Sequence, residues 1–208
     1  MLYRIILYLI GIAITYLGTT LAVKSTIGAG FWAALYVGLG DRIGLSVGFW
    51  FAVFQIIIVF LNASLRQLPP AWLAFIPIIL ESAFFDFWLE IVFKNIQFTN
   101  IILPFKIGIF LFGLFIASFG MVLYIRTGFT RSPVDDLFLA ISQRFHWRIG
   151  FSQMMVAATV MTAAFFIGGP VGLGTILSVL GLGPLIEFWN LRFSSATVAK
   201  QVQPKAIS

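Results

Sequence analysis

The sequence predicts an all-α membrane protein: six transmembrane helices arranged as two inverted three-helix repeats, each repeat also holding a short re-entrant or amphipathic helix. Three observations carry this. The composition is too apolar for water. The apolar residues fall into six runs of spanning length. The second half of the chain matches the first.

Of 208 residues, 61% are hydrophobic and only 10% are charged, where a soluble domain carries about a quarter charged. The 24 phenylalanines suit a lipid-facing exterior. There is no cysteine, which excludes disulfides and thiolate metal sites. The single histidine, His146, stands in a basic stretch with no acid–base pair or metal cluster around it. Neither an enzyme nor a metal or other cofactor is expected. The net charge of +6 comes from basic residues at the ends of apolar runs, where topology signals lie, so nucleic acid is not an expected partner.

The six runs lie at about 3–23, 45–62, 71–92, 105–125, 150–167 and 173–191. A spanning helix needs about 20 mostly apolar residues. Two shorter stretches, 29–41 and 132–144, cannot cross, and each follows the first run of its half. The whole reads as one membrane domain, 1–192, with repeats at about 3–93 and 105–192 and a disordered cytoplasmic tail at 193–208. Arg4 before an apolar run imitates a secretory signal. The counterpart of that run deep in the chain argues against cleavage.

Slid against itself by 102 residues, the chain pairs Gly11 with Gly113, Gly18 with Gly120, Lys24 with Arg126, Arg42 with Arg144, and Gly48 with Gly150. After a one-residue gap the offset is 101, pairing Pro69 with Pro170, Asp86 with Glu187, and Trp88 with Trp189. Matching glycines, cations and an acid-Phe-Trp ending are not what chance produces between two apolar sequences. Three crossings per unit invert the second copy, as in many secondary transporters. Six crossings place Arg4, Arg66, Arg126, Arg131, Arg144, Arg148, Arg192, Lys200 and Lys205 on one side, and Lys24, Arg42, Lys94 and Lys106 on the other. The first side is therefore expected to be cytoplasmic, with both termini inside.

The second short segment has a clear start. Ser132 is placed to cap, Pro133 fits the first helical position, and Asp135 sits where a capping box takes an acid. Val134, Leu137, Phe138 and Ile141 form an apolar face, and Arg144 suits the C-terminal end. The copy at 30–41 is more apolar and lacks the cap. Such a helix start either lines a cavity inside the protein or lies as a plain amphipathic segment. Arg131 and free amides would draw an anion there, and Asp135 and Asp136 a cation or proton. The structural alternative makes Asp135 a cap and Asp136 a solvated loop acid.

Glu81 is the clearest in-span ionisable group. It lies mid-run, after Pro77 (a candidate kink), with no Lys or Arg in the run. Desolvation penalises a charged carboxylate, as a proton-coupling acid requires; a structural glutamate bonded to a neighbouring helix is the other reading. Its repeat partner is Leu182. Asp86 and Glu187 are counterparts near helix ends beside Trp88 and Trp189, where interface anchoring is expected. Gln55, Asn62 and Gln153 read as interhelical hydrogen-bonding groups. The string Gly168-Gly169-Pro170-Val171-Gly172-Leu173-Gly174-Thr175 lacks the lysine of a phosphate loop. It suits close helix packing or a broken helix.

The strings GLSVGFWFAV, RSPVDDLFLAI and GGPVGLGTILSVLGLGPLI resemble the YczE/YyaS/YitT family of bacterial membrane proteins, a similarity running to about Trp189. Where that family has Pro-Trp in the first short segment, this chain has Phe31-Trp32. Where it has Gly-Pro-Arg-Asp-Gly in the second, this chain has Arg131-Ser132-Pro133-Val134-Asp135-Asp136, so either aspartate is the equivalent acid. The resemblance implies a bacterial inner-membrane location. The expected function is a small-solute transporter or permease-like protein, with the bilayer and a solute as partners and Glu81 as its key acid. The alternative is a non-transporting scaffold, or an accessory or substrate-binding subunit that works through a partner protein or as a homodimer.

Overall fold

A computed structural model describes residues 1–96, 98–130 and 132–201. Among them there is no strand. Helix α1 is Leu2–Lys24, α2 Phe31–Ile43, α3 Val47–Arg66, α4 Phe75–Asp86, α5 Leu103–Ile125, α6 Pro133–Phe145, α7 Ile149–Ile167 and α8 Leu173–Gln201.

Five helices are long and apolar enough to cross a bilayer: α1, α3, α5, α7 and the Leu173–Phe193 part of α8. They coincide with five of the six expected runs. The sixth run, 71–92, is not one helix. A 3-10 turn at Trp72–Ala74 leads into α4, and a π-helix at Phe87–Val92 continues from it. Pro77 sits third in α4. A first-turn N–H has no intrahelical acceptor to lose, so proline is tolerated there. At 12 residues, α4 alone is shorter than a crossing requires.

The two short segments are α2 and α6. Helix α6 begins at Pro133 as the capping pattern predicts, and it ends on His146 in left-handed backbone with φ 55°. The expected Ser132 cap is not formed, because that hydroxyl is committed to other side chains. Helix α8 runs to Gln201. No Gly or Pro lies between 193 and 201 to stop it. Residues 202–208 lie outside the described residues.

The centre is the α1–α5 pair. A Cβ on Gly11 would stand 3.0 Å from Gly120 O, and one on Gly113 would stand 2.6 Å from Gly18 O. Ascending α1 thus meets descending α5, and four glycines let the two backbones touch. Arg4 donates to Thr127 O and Tyr8 Oη to Thr130 O at the same pair's end. Around this pair α2 packs on α7 and α6 on α3, so each short helix rests on a long helix of the other half. Helix α4 packs on α1 and α3, and α8 on α5. The perimeter exposes large apolar side chains such as Phe112, Phe165, Phe166 and Leu180, the surface a lipid solvent requires.

Candidate functional site

Helices α2 and α6 both begin at the wall of one cavity of about 180 Å³. Gly30 to Ala33 of α2 line it, and so do Ser132, Val134 and Asp135 of α6. Thr15, Tyr16 and Thr19 of α1 contribute, with Ala117 and Met121 of α5, Gln55 of α3, Glu81 of α4, and Ser178 and Leu182 of α8. Many of these are counterparts at the 102 and 101 offsets: Gly30 with Ser132, Ala33 with Asp135, Thr15 with Ala117, Thr19 with Met121, and Glu81 with Leu182. The cavity lies between the matching halves, and each half contributes one acid at a position its counterpart does not match, Glu81 and Asp135.

Glu81 is 1% exposed. Tyr16 Oη donates to its Oε2 at 3.0 Å, and Ser132 Oγ donates to the same oxygen at 3.4 Å. Gln55 Nε2 in turn donates to Ser132 Oγ at 3.1 Å. Three helices and the start of a fourth therefore orient one carboxyl group. This explains why Ser132 does not cap α6: its hydroxyl is turned to Glu81 instead. Asn62 Nδ2 donates to Pro133 O at 2.9 Å and fixes the same helix start to α3.

Three other buried polar atoms at the cavity have no hydrogen-bond partner among the described residues: Gln55 Oε1, Tyr36 Oη and Trp32 Nε1. Gln55 is 2% and Tyr36 1% exposed. The other walls are aromatic. Trp32 stacks on Tyr36 at 6.0 Å between ring centroids. Tyr36 meets Phe51 edge-on at 5.6 Å, and Tyr16 meets the same ring edge-on at 5.6 Å.

Of the residues singled out from sequence, Glu81 and Asp135 reach the cavity. Asp136 does not line it; it accepts an ion pair from Arg66 at 3.6 Å. Arg131 lies outside the described residues. Asp86 accepts from Gly48 N at 2.6 Å and from Ser46 Oγ, so it clamps α4 to the N-terminus of α3, where a negative charge is favoured. Its counterpart Glu187 is exposed. The glycine string is a contact surface: Ala29 N donates to Pro170 O and Gly174 N to Ile27 O, both at 2.9 Å. A Cβ on Gly172 would stand 2.5 Å from Ile27 O. Thr175 Oγ1 accepts from Gly172 N at the start of α8.

Tyr16, Trp32 and Tyr36 were not legible as site residues. An aromatic in an apolar run gives no local sign of facing inward. The Gly30–Ser132 match, which places two helix starts in register, was the available signal.

The five long apolar helices define a multi-pass helical membrane protein. The chain matches the model of a family of unknown function (DUF6198) over residues 2–191 and belongs to that family. It is 36% identical to the uncharacterised protein YyaS of Bacillus subtilis (strain 168), across 86% of this chain and 89% of that one. It is 28% identical to the uncharacterised membrane protein YczE of the same organism, across 87% and 82%. An uncharacterised protein of Haemophilus influenzae is 27% identical, across 87% and 80%. No solved structure matches the chain.

Proposed function

We propose that the chain is a small-solute transporter, not an enzyme, and that its substrate site is the cavity between the first turns of α2 and α6. The observation that carries this reading is a buried, oriented carboxyl group, Glu81, in a cavity lined by counterparts from both halves. Intramembrane ionisable groups facing an interior cavity commonly serve transport, and short helices meeting at a central site are the recurring design of carriers.

The reading includes six crossings and inverted repeats. Its support is the α1–α5 contact, in which Gly11 meets Gly120 and Gly18 meets Gly113. The sequence match exchanges these two contacts, which is what a two-fold axis perpendicular to the helices does. The divided run from Trp72 to Val92 then supplies the sixth crossing. The excess of Arg and Lys on one set of loops supports cytoplasmic termini in a bacterial inner membrane.

Since the chain has no cysteine, one introduced thiol reports access cleanly. Thr19→Cys, at the cavity wall, should react with a membrane-impermeant thiol reagent from the outside of right-side-out vesicles and from the outside of inverted vesicles. Reaction from one face only rejects alternating access and leaves a substrate-binding subunit that works through a partner. Reaction from neither face rejects both.

A further inference from the structure

We propose that the solute held in this cavity is a small organic cation, an alkylammonium that also carries a hydroxyl or carbonyl oxygen; this rests on the cavity being the substrate site.

Size restricts the ligand first. At about 180 Å³, the cavity is well below the roughly 300–1,000 Å³ of drug-sized sites. Charge selects next. Two carboxyl groups, Glu81 and Asp135, belong to the lining, and no Lys, Arg or His occurs among its described residues. Glu81 accepts from neutral donors, Tyr16 and Ser132, and an entering ammonium supplies the cation that these do not.

The walls decide between organic and inorganic cations. Sodium or calcium needs a shell of several oxygens. Beside the hydroxyls of Thr15, Thr19, Ser132 and Ser178, the larger walls of this cavity are Tyr16, Phe31, Trp32, Tyr36, Phe51 and Phe85. Linked edge to face, Tyr16, Tyr36 and Phe51 form a stiff aromatic box. Aromatic faces attract ammonium groups and stack poorly against metal hydration shells.

The unpartnered atoms then specify the remaining group. Trp32 Nε1 and Tyr36 Oη are donors, and Gln55 Oε1 is an acceptor. A buried polar atom left unpaired is costly, so a fitting solute pairs them. A hydroxyl both accepts from the first two and donates to the third; a carbonyl serves the donors alone.

The test is isothermal titration of the purified full-length protein in lipid nanodiscs with three probes of one shape. These are choline, its uncharged carbon isostere 3,3-dimethylbutan-1-ol, and the anion 3,3-dimethylbutanoate. Choline should bind at least tenfold more tightly than the alcohol, with no binding of the anion. Glu81→Gln should bring choline and the alcohol to within about twofold of each other. Trp32→Phe keeps the ring and removes the N–H; it should weaken both ligands while preserving their ratio. Equal binding of choline and the alcohol by the unaltered protein, stronger binding of the anion, or no binding of choline overturns the proposal, whether or not either variant folds. The two readings fail separately. Two-sided reaction of Thr19→Cys without choline binding removes the cation and leaves a transporter. Choline binding with one-sided reaction does the reverse.

Discussion

The loop before α8 lies directly against the segment that begins α2, whereas the corresponding loop after α3 borders a cavity that it shares with α6. At the first end Gly38 and Gly169 are in contact: a Cβ on Gly38 would stand 2.7 Å from Gly169 Cα. There Arg42 Nη1 donates to Phe166 O and Ile167 O, joining α2 to the end of α7. At the other end the counterparts are Ala140 and Leu68. They line a cavity of about 390 Å³ together with Arg66, Arg144 and His146. Glycine against glycine lets two backbones close; alanine against leucine holds them apart. Matching segments have thus made one sealed end and one open end. On the transporter reading this is the asymmetry of a carrier facing a single side.

Exchanging residues between the two ends should expose this difference most strongly. Gly169→Leu places a side chain where Ala34 O and Ala164 O already stand. It should cost about 3 kcal/mol or more, as severe overpacking does, and remove the protein from the monodisperse peak on size-exclusion chromatography. The reciprocal Leu68→Gly alters a side chain that is 61% exposed. It should cost no more than about 1 kcal/mol, the entropic penalty of glycine, read as a small fall in the thermal midpoint.

A second comparison concerns the acid pair. Asp86→Asn keeps the shape but weakens two hydrogen bonds at the start of α3. A loss of about 1–2 kcal/mol is expected. Glu187→Gln, at an exposed counterpart, should stay within about 0.5 kcal/mol of the unaltered protein. Equal losses in a thermal melt would remove the clamp.

The smallest expected effect concerns the matched arginines. Arg42→Ala loses two carbonyl contacts on an exposed surface and should cost about 0.5–1 kcal/mol. Arg144→Ala, at the open end, should change the melt by less than that. A larger loss at Arg144 would mean that the open end is held shut in the membrane.

Much of the architecture could be read without coordinates. The long apolar runs became helices because a chain in lipid must satisfy its backbone within each segment. The starts of α2 and α6 followed from length and, in α6, from Pro133. Misreadings arose where one residue had competing uses. Ser132 fits a cap by position, but a carboxylate 51 residues away takes its hydroxyl. Pro77 fits a mid-helix kink by type, but it stands in a first turn, where a missing N–H costs no intrahelical bond. Asp86 and Glu187 are equivalent in sequence, yet only Asp86 has a helix start within reach.

The sequence by itself determined a membrane-embedded helical chain, its family, its internal match and one buried acid. Each of these depends on composition, on segment length or on residue type at a fixed offset, and lipid makes those signals local. Only the tertiary structure decided what surrounds that acid. Tyr16 reaches Glu81 across 65 positions and Gln55 reaches Ser132 across 77. Such meetings depend on how closely glycine-faced helices pack and on which side chain each rotation turns inward. No apolar run records that rotation, because lipid accepts an aromatic ring as readily as a cavity wall does.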